Sequence, residues 1–386
     1  MSISPFMTPD QSRRRREDAR RRRTRRRAIA IGAVALAILV GAVVMALANT
    51  HDAHGSDSTS ASKHGHTADA GHTARYTHAA GAAHATGATT STSGLVSARV
   101  SQEDLPLGTP PLTLAGIGDP AQDPLRTRFP EPPRAGLLFN LQTGQVLWQL
   151  NPYIRLHMAS LTKMMTALLT VQSAPPDAPV LITKEAVEMP GSKVGVLPLG
   201  HHVSLETLLY GLLLPSGNDA AVALAQHVAG SVNDFVKRMN AQAAQLGMGC
   251  TRYSSPSGYY DKGNYTCAAD LAELAYVDLR QPRIADIVHT DTAALPFPIK
   301  GGRLYLYNNN PLLIYGYPGT TGLKTGYTEA AGPCLVATAT RDGVSLGVVL
   351  LHSPLPGTQA AQLLTEGFDD VYHQHPIPEP PIPGGV

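Results

Sequence analysis

Apolar positions along residues 134–375 follow two different periods, and the switches between them mark out the elements. Residues 135–140 form an apolar run, Gln142-Thr143-Gly144 supplies a turn, and residues 145–150 resume with β-compatible side chains, a hairpin signature. Leu161, Met164, Met165, Leu168 and Leu169 then recur at i, i+3, i+4, i+7 and i+8, which predicts a helix over residues 158–170 with one buried stripe. Residues 204–214 predict a second helix, N-capped by Ser204 and closed by Pro215. An alanine-rich third covers 219–229, a fourth covers 232–246 through Phe235, Val236, Met239, Ala243 and Leu246, and a fifth covers 268–277. After residue 300 strand patterns take over at 304–306, 322–327, 334–340 and 345–351, with Arg341-Asp342-Gly343 as a tight turn between the last two. Residues 359–371 predict a closing helix. This order predicts an α+β fold, an antiparallel sheet covered by helices with a helical subdomain.

Upstream of residue 134 the periodicity is lost. Residues 28–48 are 21 residues without a charge, long enough to cross a hydrocarbon core as a helix. Arginines dominate 13–27 and place the basic tail, residues 1–27, in the cytoplasm and everything after residue 48 outside. Ala46-Leu47-Ala48 offers a small-residue cleavage site, and Thr24-Arg25-Arg26 a twin-arginine reading. The apolar run exceeds the roughly 7–15 residues of a signal h-region, which favours a retained single-pass anchor. Residues 49–94 hold too few large apolar side chains to fold and read as a flexible tether. Their seven histidines, of 15 in the chain, are irregularly spaced and read as part of that tether rather than as a metal tract. Residues 95–133 continue as a stiffer, proline-rich spacer, so the linker as a whole is 49–133. Residues 134–375 form the folded domain, and 376–386 a proline-rich tail.

Charge and cysteine content narrow the classes. The formal net charge of +2 over 386 residues is unevenly spread. Residues 1–27 hold 11 Arg against three acids, which leaves 20 basic and 26 acidic side chains in the remainder. The basic character is confined to a tail, so the folded part has no nucleic-acid signature. Cys250, Cys267 and Cys334 are too few for a disulfide framework and lack metal-ligand spacing. Cys250 and Cys267 pair only if their Cα atoms approach in an oxidising compartment; the habit of cysteine as a small core residue favours buried free thiols.

Candidate chemistry is concentrated in three short motifs. Ser160 opens the 158–170 helix and Lys163 follows one turn later, on neighbouring positions of one face. A hydroxyl at a helix N-terminus sits where developing negative charge is favoured, and a lysine against Leu and Met can be desolvated enough to act as a neutral base. Alone, the pair reads more readily as an N-cap beside a solvated lysine than as chemistry. Pro215-Ser216-Gly217-Asn218 follows in a loop between two helices, and Lys324-Thr325-Gly326 in a strand. Each is ordinary by itself, but the ordered set is that of penicillin-binding proteins and class A β-lactamases. Acyl transfer requires an activated hydroxyl, a proton donor to the leaving amine, a cation for the substrate carboxylate and an oxyanion hole. On that scheme Ser160 is the nucleophile, Lys163 the base, Ser216 a proton relay and Asn218 a holder of the substrate's amide. Lys324 supplies the cation and keeps Lys163 neutral by like-charge repulsion, and Thr325 adds a hydroxyl. Gly326 lets substrate approach the strand edge, and the N–H groups of Ser160 and Tyr327 donate to the oxyanion.

Over about residues 134–375 the chain resembles the D-alanyl-D-alanine carboxypeptidases, serine-type penicillin-binding proteins of low molecular mass. The likeness rests on Ala159-Ser160-Leu161-Thr162-Lys163-Met164-Met165-Thr166-Ala167 and Leu214-Pro215-Ser216-Gly217-Asn218-Asp219-Ala220-Ala221. It extends to Met239-Asn240, Leu246-Gly247-Met248, Ser257-Gly258 and Gly322-Leu323-Lys324-Thr325-Gly326-Tyr327-Thr328. The resemblance implies a β-lactamase/transpeptidase-like fold and a serine acyl-enzyme mechanism with no cofactor and no metal. It also implies removal of the terminal D-alanine from peptidoglycan stem pentapeptides outside the membrane, in cell-wall biogenesis, and inhibition by β-lactams. Carried over by motif, Ser160 forms the acyl-enzyme, Lys163 accepts its proton, Ser216 completes the site and Lys324 binds substrate. Tyr259 stands where the family usually has leucine, and Met158 where proline is common. A D,D-endopeptidase cutting cross-links shares all these groups, with pocket shape deciding between the two. A β-lactamase needs a glutamate to activate the deacylating water, and Glu273, the only glutamate between Ser216 and Lys324, lacks the usual setting. A non-enzymatic wall-binding protein is indicated by loss of Ser160, Lys163, Ser216 or Lys324, and all four are present.

Overall fold

The computed structural model describes residues 112–298 and 302–376. The predicted basic tail, membrane anchor and histidine-rich tether, and all but the first residue of the predicted proline-rich tail, lie outside those residues. Among the described residues no helix is long and apolar enough to cross a membrane.

The chain runs β1 (Ala135–Asn140), β2 (Val146–Leu150), a 3-10 turn (Ala159–Thr162), α1 (Lys163–Ser173), β3 (Pro179–Leu181), α2 (Lys184–Glu188) and β4 (His202–Ser204). There follow α3 (Leu205–Leu213), α4 (Asn218–Ala229), α5 (Val232–Gln245), α6 (Ala268–Leu279), α7 (Pro282–Val288), β5 (Thr292–Pro296) and β6 (Arg303–Tyr307). The last segment is α8 (Pro311–Ile314), β7 (Thr320–Gly326), β8 (Cys334–Arg341), β9 (Val344–Leu351), α9 (Pro356–Glu366) and a π turn (Gly367–Val371).

Five strands make one antiparallel sheet in the order β2-β1-β9-β8-β7. The first hairpin and the last strands meet at its middle, with Ala135 opposite Leu351 and Leu335 opposite Leu350. Both faces are covered, which is why these strands read as apolar runs rather than as alternation. Leu137, Phe139, Val336, Val349 and Leu351 share a core with the helical block. Leu138, Leu335, Val348 and Leu350 pack instead with Leu363, Leu364 and Phe368 on the opposite face. The α+β class is therefore as predicted, and β7 is left as an edge strand.

Helix α1 is the axis of the helical block, packed by α3, α4 and α6. Its predicted stripe is buried, as is nearly every other residue in its first two turns. Small side chains on α4 (Ala220, Ala221, Ala223 and Ala225, all buried) permit its close approach. Ser204 caps α3 as predicted, accepting from the Thr207 N–H. Several boundaries shift by one to three residues, and the start of the predicted helix over 158–170 shifts most: it opens as a 3-10 turn, because Ala159 holds a left-handed φ of 49°.

Two expectations are corrected. Residues 112–133, expected to be spacer, cover the edge strand β2. Val146 donates to the Ala115 carbonyl at 3.0 Å and Leu125 to the Leu147 carbonyl at 3.1 Å, while Asp123 accepts from Gln149 Nε2 at 2.7 Å. Prolines deny this segment any periodicity, yet strand edges need only its backbone groups. Cys250 and Cys267, expected as free thiols, form a disulfide with Cα atoms 5.7 Å apart. Backbone pairing of Arg252 with Tyr265 brings them together, a contact between distant residues that leaves no local pattern. Cys334 is a buried free thiol.

Candidate active site

Ser160 is presented by the 3-10 turn, and Lys163 follows as the first residue of α1 with its side chain fully buried. Lys163 Nζ lies 2.8 Å from Ser160 Oγ, 2.7 Å from Asn218 Oδ1 and 2.7 Å from the Ser257 carbonyl oxygen. Asn218 can present only its oxygen, since its Nδ2 donates to the Pro190 carbonyl at 2.7 Å. A neutral amine has two N–H groups and one lone pair. Asn218 Oδ1 and the Ser257 carbonyl can only accept, so they take both hydrogens and leave the lone pair to the Ser160 O–H. The contacts thus direct a neutral lysine at the serine's proton.

Electrostatics favour that neutral form. Burial pushes Lys163 well below its ordinary value of 10.5, the Lys324 charge pushes the same way, and the Asp219 carboxylate opposes both. Asp219 is itself committed to the N–H groups of Val194, Gly195 and Ala220 at 2.9, 3.0 and 2.9 Å. It thereby fixes the segment whose Ser192 carbonyl accepts from the Asn218 N–H at 2.7 Å. Lys324 is buried on β7 and donates to the Thr325 carbonyl at 3.0 Å. Burial brings it down to about 7.

Ser160, Ser192, Ser216, Thr325, Gly326 and Tyr327 line a cleft of about 490 Å³. Ser216 holds a left-handed φ of 67°, and its buried hydroxyl has no hydrogen-bond partner among the described residues. A non-glycine residue in that region marks a position over-determined by its surroundings, as at functional sites. A Cβ on Gly326 would sit 3.0 Å from the Met158 carbonyl oxygen and 3.1 Å from the Ser160 nitrogen. The end of β7 therefore lies against the Ser160 N–H, and any side chain larger than glycine's would be tight there.

All eight residues singled out from the sequence meet at this cleft or directly behind it. Asn218, expected to hold the substrate's amide, is instead fully committed to Lys163 and Pro190 in this structure. The Ser257 carbonyl was not anticipated, because a backbone contact carries no side-chain signature. The neighbouring glycine was its only clue: Gly258 holds φ 73°, and a Cβ there would overlap the Ala159 carbonyl and the Thr162 hydroxyl. Glu273 accepts from the Leu112 N–H at 2.8 Å, so its carboxylate is occupied by a structural contact. Among the described residues the one grouping of metal-ligating side chains is Cys250, Cys267 and Asp270, and its sulfurs are joined in the disulfide.

A family model described as D-alanyl-D-alanine carboxypeptidase matches residues 133–354. The D-alanyl-D-alanine carboxypeptidase DacF of Bacillus subtilis (strain 168) is 32% identical over 275 residues, covering 69% of this chain and 70% of that protein. A D-alanyl-D-alanine endopeptidase of Pseudomonas aeruginosa is 34% identical over 238 residues, covering 58% of this chain and 76% of its own. The crystal structure of a DD-transpeptidase from Streptomyces strain K15 matches with a TM-score of 0.59 at 31% identity, over 63% of this chain and 99% of that one. The family match spans the sheet, the helical block and every residue of the cleft described above, and the chain belongs to the D-alanyl-D-alanine carboxypeptidase family.

Proposed function

We propose that this protein removes the terminal D-alanine from peptidoglycan stem pentapeptides through an acyl-enzyme on Ser160. One observation carries the reading: buried Lys163 Nζ, its hydrogens committed to Asn218 and Ser257, faces the Ser160 hydroxyl at 2.8 Å. Lys163 takes the serine proton as Oγ attacks the carbonyl of the penultimate D-alanine. The N–H groups of Ser160 and Tyr327 hold the oxyanion, and Ser216 passes a proton to the departing amine. Lys324 and Thr325 bind the terminal carboxylate, Gly326 gives the peptide access to the β7 edge, and water then releases the acyl group. A β-lactam offers the same reactive amide and carboxylate and would acylate Ser160.

The substrate lies outside the cytoplasm, and two features support placing residues 134–375 there: the basic tail before the apolar run 28–48, and a disulfide, which persists in oxidising compartments. On this reading the protein is held to the membrane by that N-terminal helix. Supplying the full-length protein with pentapeptide and with a cross-linked peptide dimer tests the activity. D-alanine release should outpace dimer cleavage. Faster dimer cleavage would favour an endopeptidase, like the Pseudomonas relative, and rapid hydrolysis of a β-lactam in place of a lasting adduct would favour a lactamase. Labelling by fluorescent penicillin should vanish in Ser160→Ala.

The lysine pair also sets the pH dependence. The reactive form carries a proton on Lys324 and none on Lys163, and the two titrate as a coupled pair. As pH rises, kcat/KM for pentapeptide should climb while Lys163 deprotonates. It should fall again as Lys324 loses its charge, at about 7 in the free enzyme. In Lys324→Gln the KM should rise and the alkaline limb disappear; a limb left in place would belong to another group.

A further inference from the structure

Residues 251–266 cross the catalytic turn as a strap without helix or strand of their own. The Cys250–Cys267 disulfide ties its ends, and Arg252 and Tyr265 pair through hydrogen bonds of 2.9 and 3.0 Å. Asp270 accepts from the Cys250 N–H at 2.8 Å and the Thr251 hydroxyl at 2.6 Å, and the Thr251 and Thr266 hydroxyls meet at 2.7 Å. From this closed base the strap reaches the turn at several points. The Ser257 carbonyl takes a hydrogen from Lys163, and the Pro256 carbonyl one from Thr166 Oγ1 at 2.7 Å. Fully buried Asn264 donates through Nδ2 to Thr162 Oγ1 at 2.9 Å, and that hydroxyl donates to the Ala159 carbonyl at 2.8 Å. The Asn264 carbonyl lies 3.0 Å from His157 Nδ1, so this one residue clasps the left-handed turn from both sides.

We propose that the strap closed by Cys250–Cys267, acting through Asn264 and the Ser257 carbonyl, is a positioning device for Lys163 and Ser160, and that opening the disulfide slows acylation while the fold stays in place. The proposal rests on Lys163 being the base. Each leg keeps an anchor of its own when the disulfide opens: Tyr253 is clamped to Asn240 of α5, and Thr266 pairs with the Leu156 backbone. What is lost is the register between the legs. A dithiol supplies the two electrons and two protons that turn the S–S bond into two thiols. The charged groups facing Lys163 are Lys324 from β7 and Asp219 from α4, while the strap offers it a neutral carbonyl. The strap's own charged side chains, Arg252, Asp261 and Lys262, are not among the charges acting on Lys163, so displacing it leaves those charges in place but admits water. Because burial is the leading reason that Lys163 stays neutral, hydration returns it toward the ammonium form and moves the acidic limb of acylation to higher pH.

The test measures acylation by fluorescent penicillin against pH on the full-length protein, with a thermal melt to confirm folding. Cys250→Ala/Cys267→Ala and the disulfide-intact Asn264→Ala should each acylate about tenfold more slowly at neutral pH, with the acidic limb raised by about one unit. Dithiothreitol should reproduce this in the wild type and leave the double variant unchanged. Wild-type rates and an unmoved limb in the double variant and the reduced wild type would overturn the proposal. Should the double variant fail to fold, the same result in Asn264→Ala overturns it. Lys163→Met separates the two readings: acylation retained there sinks the base, whereas acylation lost there but untouched in the strap variants sinks the strap alone.

Discussion

Replacing Lys163 with methionine lowers acylation of Ser160 by about a thousandfold, the middle of the range for losing a general base. Methionine is the informative substitution because it nearly fills the space of the lysine stem, against Leu and Met neighbours that are already buried. Alanine would remove the same amine but add a cavity, mixing a packing defect of roughly 2–5 kcal/mol into the result. With methionine the Asn218 oxygen and the Ser257 carbonyl lose one donor each, an effect on stability of about 1–3 kcal/mol per group unless water enters. The rate loss should far exceed anything that stability change explains. Adding Ser160→Ala to the same chain should remove the residual labelling altogether, because the acyl bond forms on the Ser160 hydroxyl. Acylation by Lys163→Met within about threefold of wild type, far short of a base's usual contribution, would exclude the lysine as the base.

How much of this was legible in the sequence differs from residue to residue. The stripe on α1 was readable because burial of one helix face imposes a period, and Ser204 because a cap acts within three residues. Ser160, Lys163, Ser216 and Lys324 were readable because acyl transfer demands particular side chains. The left-handed Ala159 was not: nothing in alanine prefers φ 49°, and the conformation is held by Asn264 and Gly258 from about a hundred residues away. An amide suits either role, so the sequence alone points Asn218 at the substrate. Its commitment to Pro190 depends on the path of residues 189–195, which carry no periodic signal. Residues 112–133 escaped for a related reason, since backbone contacts to an edge strand need no hydrophobic pattern. The limit falls between what a side chain requires and what a distant backbone imposes.

That limit makes Gly258→Ala the sharper test of how the site is held. An L-residue at φ 73° costs about 1–2 kcal/mol by itself. The added methyl group also meets the Thr162 hydroxyl and the Ala159 carbonyl, and the carbonyl, being backbone, cannot yield without moving the turn that carries Ser160. The total should reach about 3 kcal/mol, lowering Tm by roughly 6–12 °C. Either the turn shifts or the strap lifts, and both break the Ser257–Lys163 contact, so acylation of the still-folded protein should fall by about a hundredfold, within the range a displaced catalytic group produces. Gly263→Ala is the control within the same strap. Its φ of 75° carries the same backbone cost, but its Cβ would meet only Ser254 Cβ at 3.6 Å. Gly263→Ala should therefore lose about 1–2 kcal/mol and acylate normally. Equal effects from the two alanines would mean that backbone conformation, rather than the contact with the Ala159 turn, is what position 258 supplies.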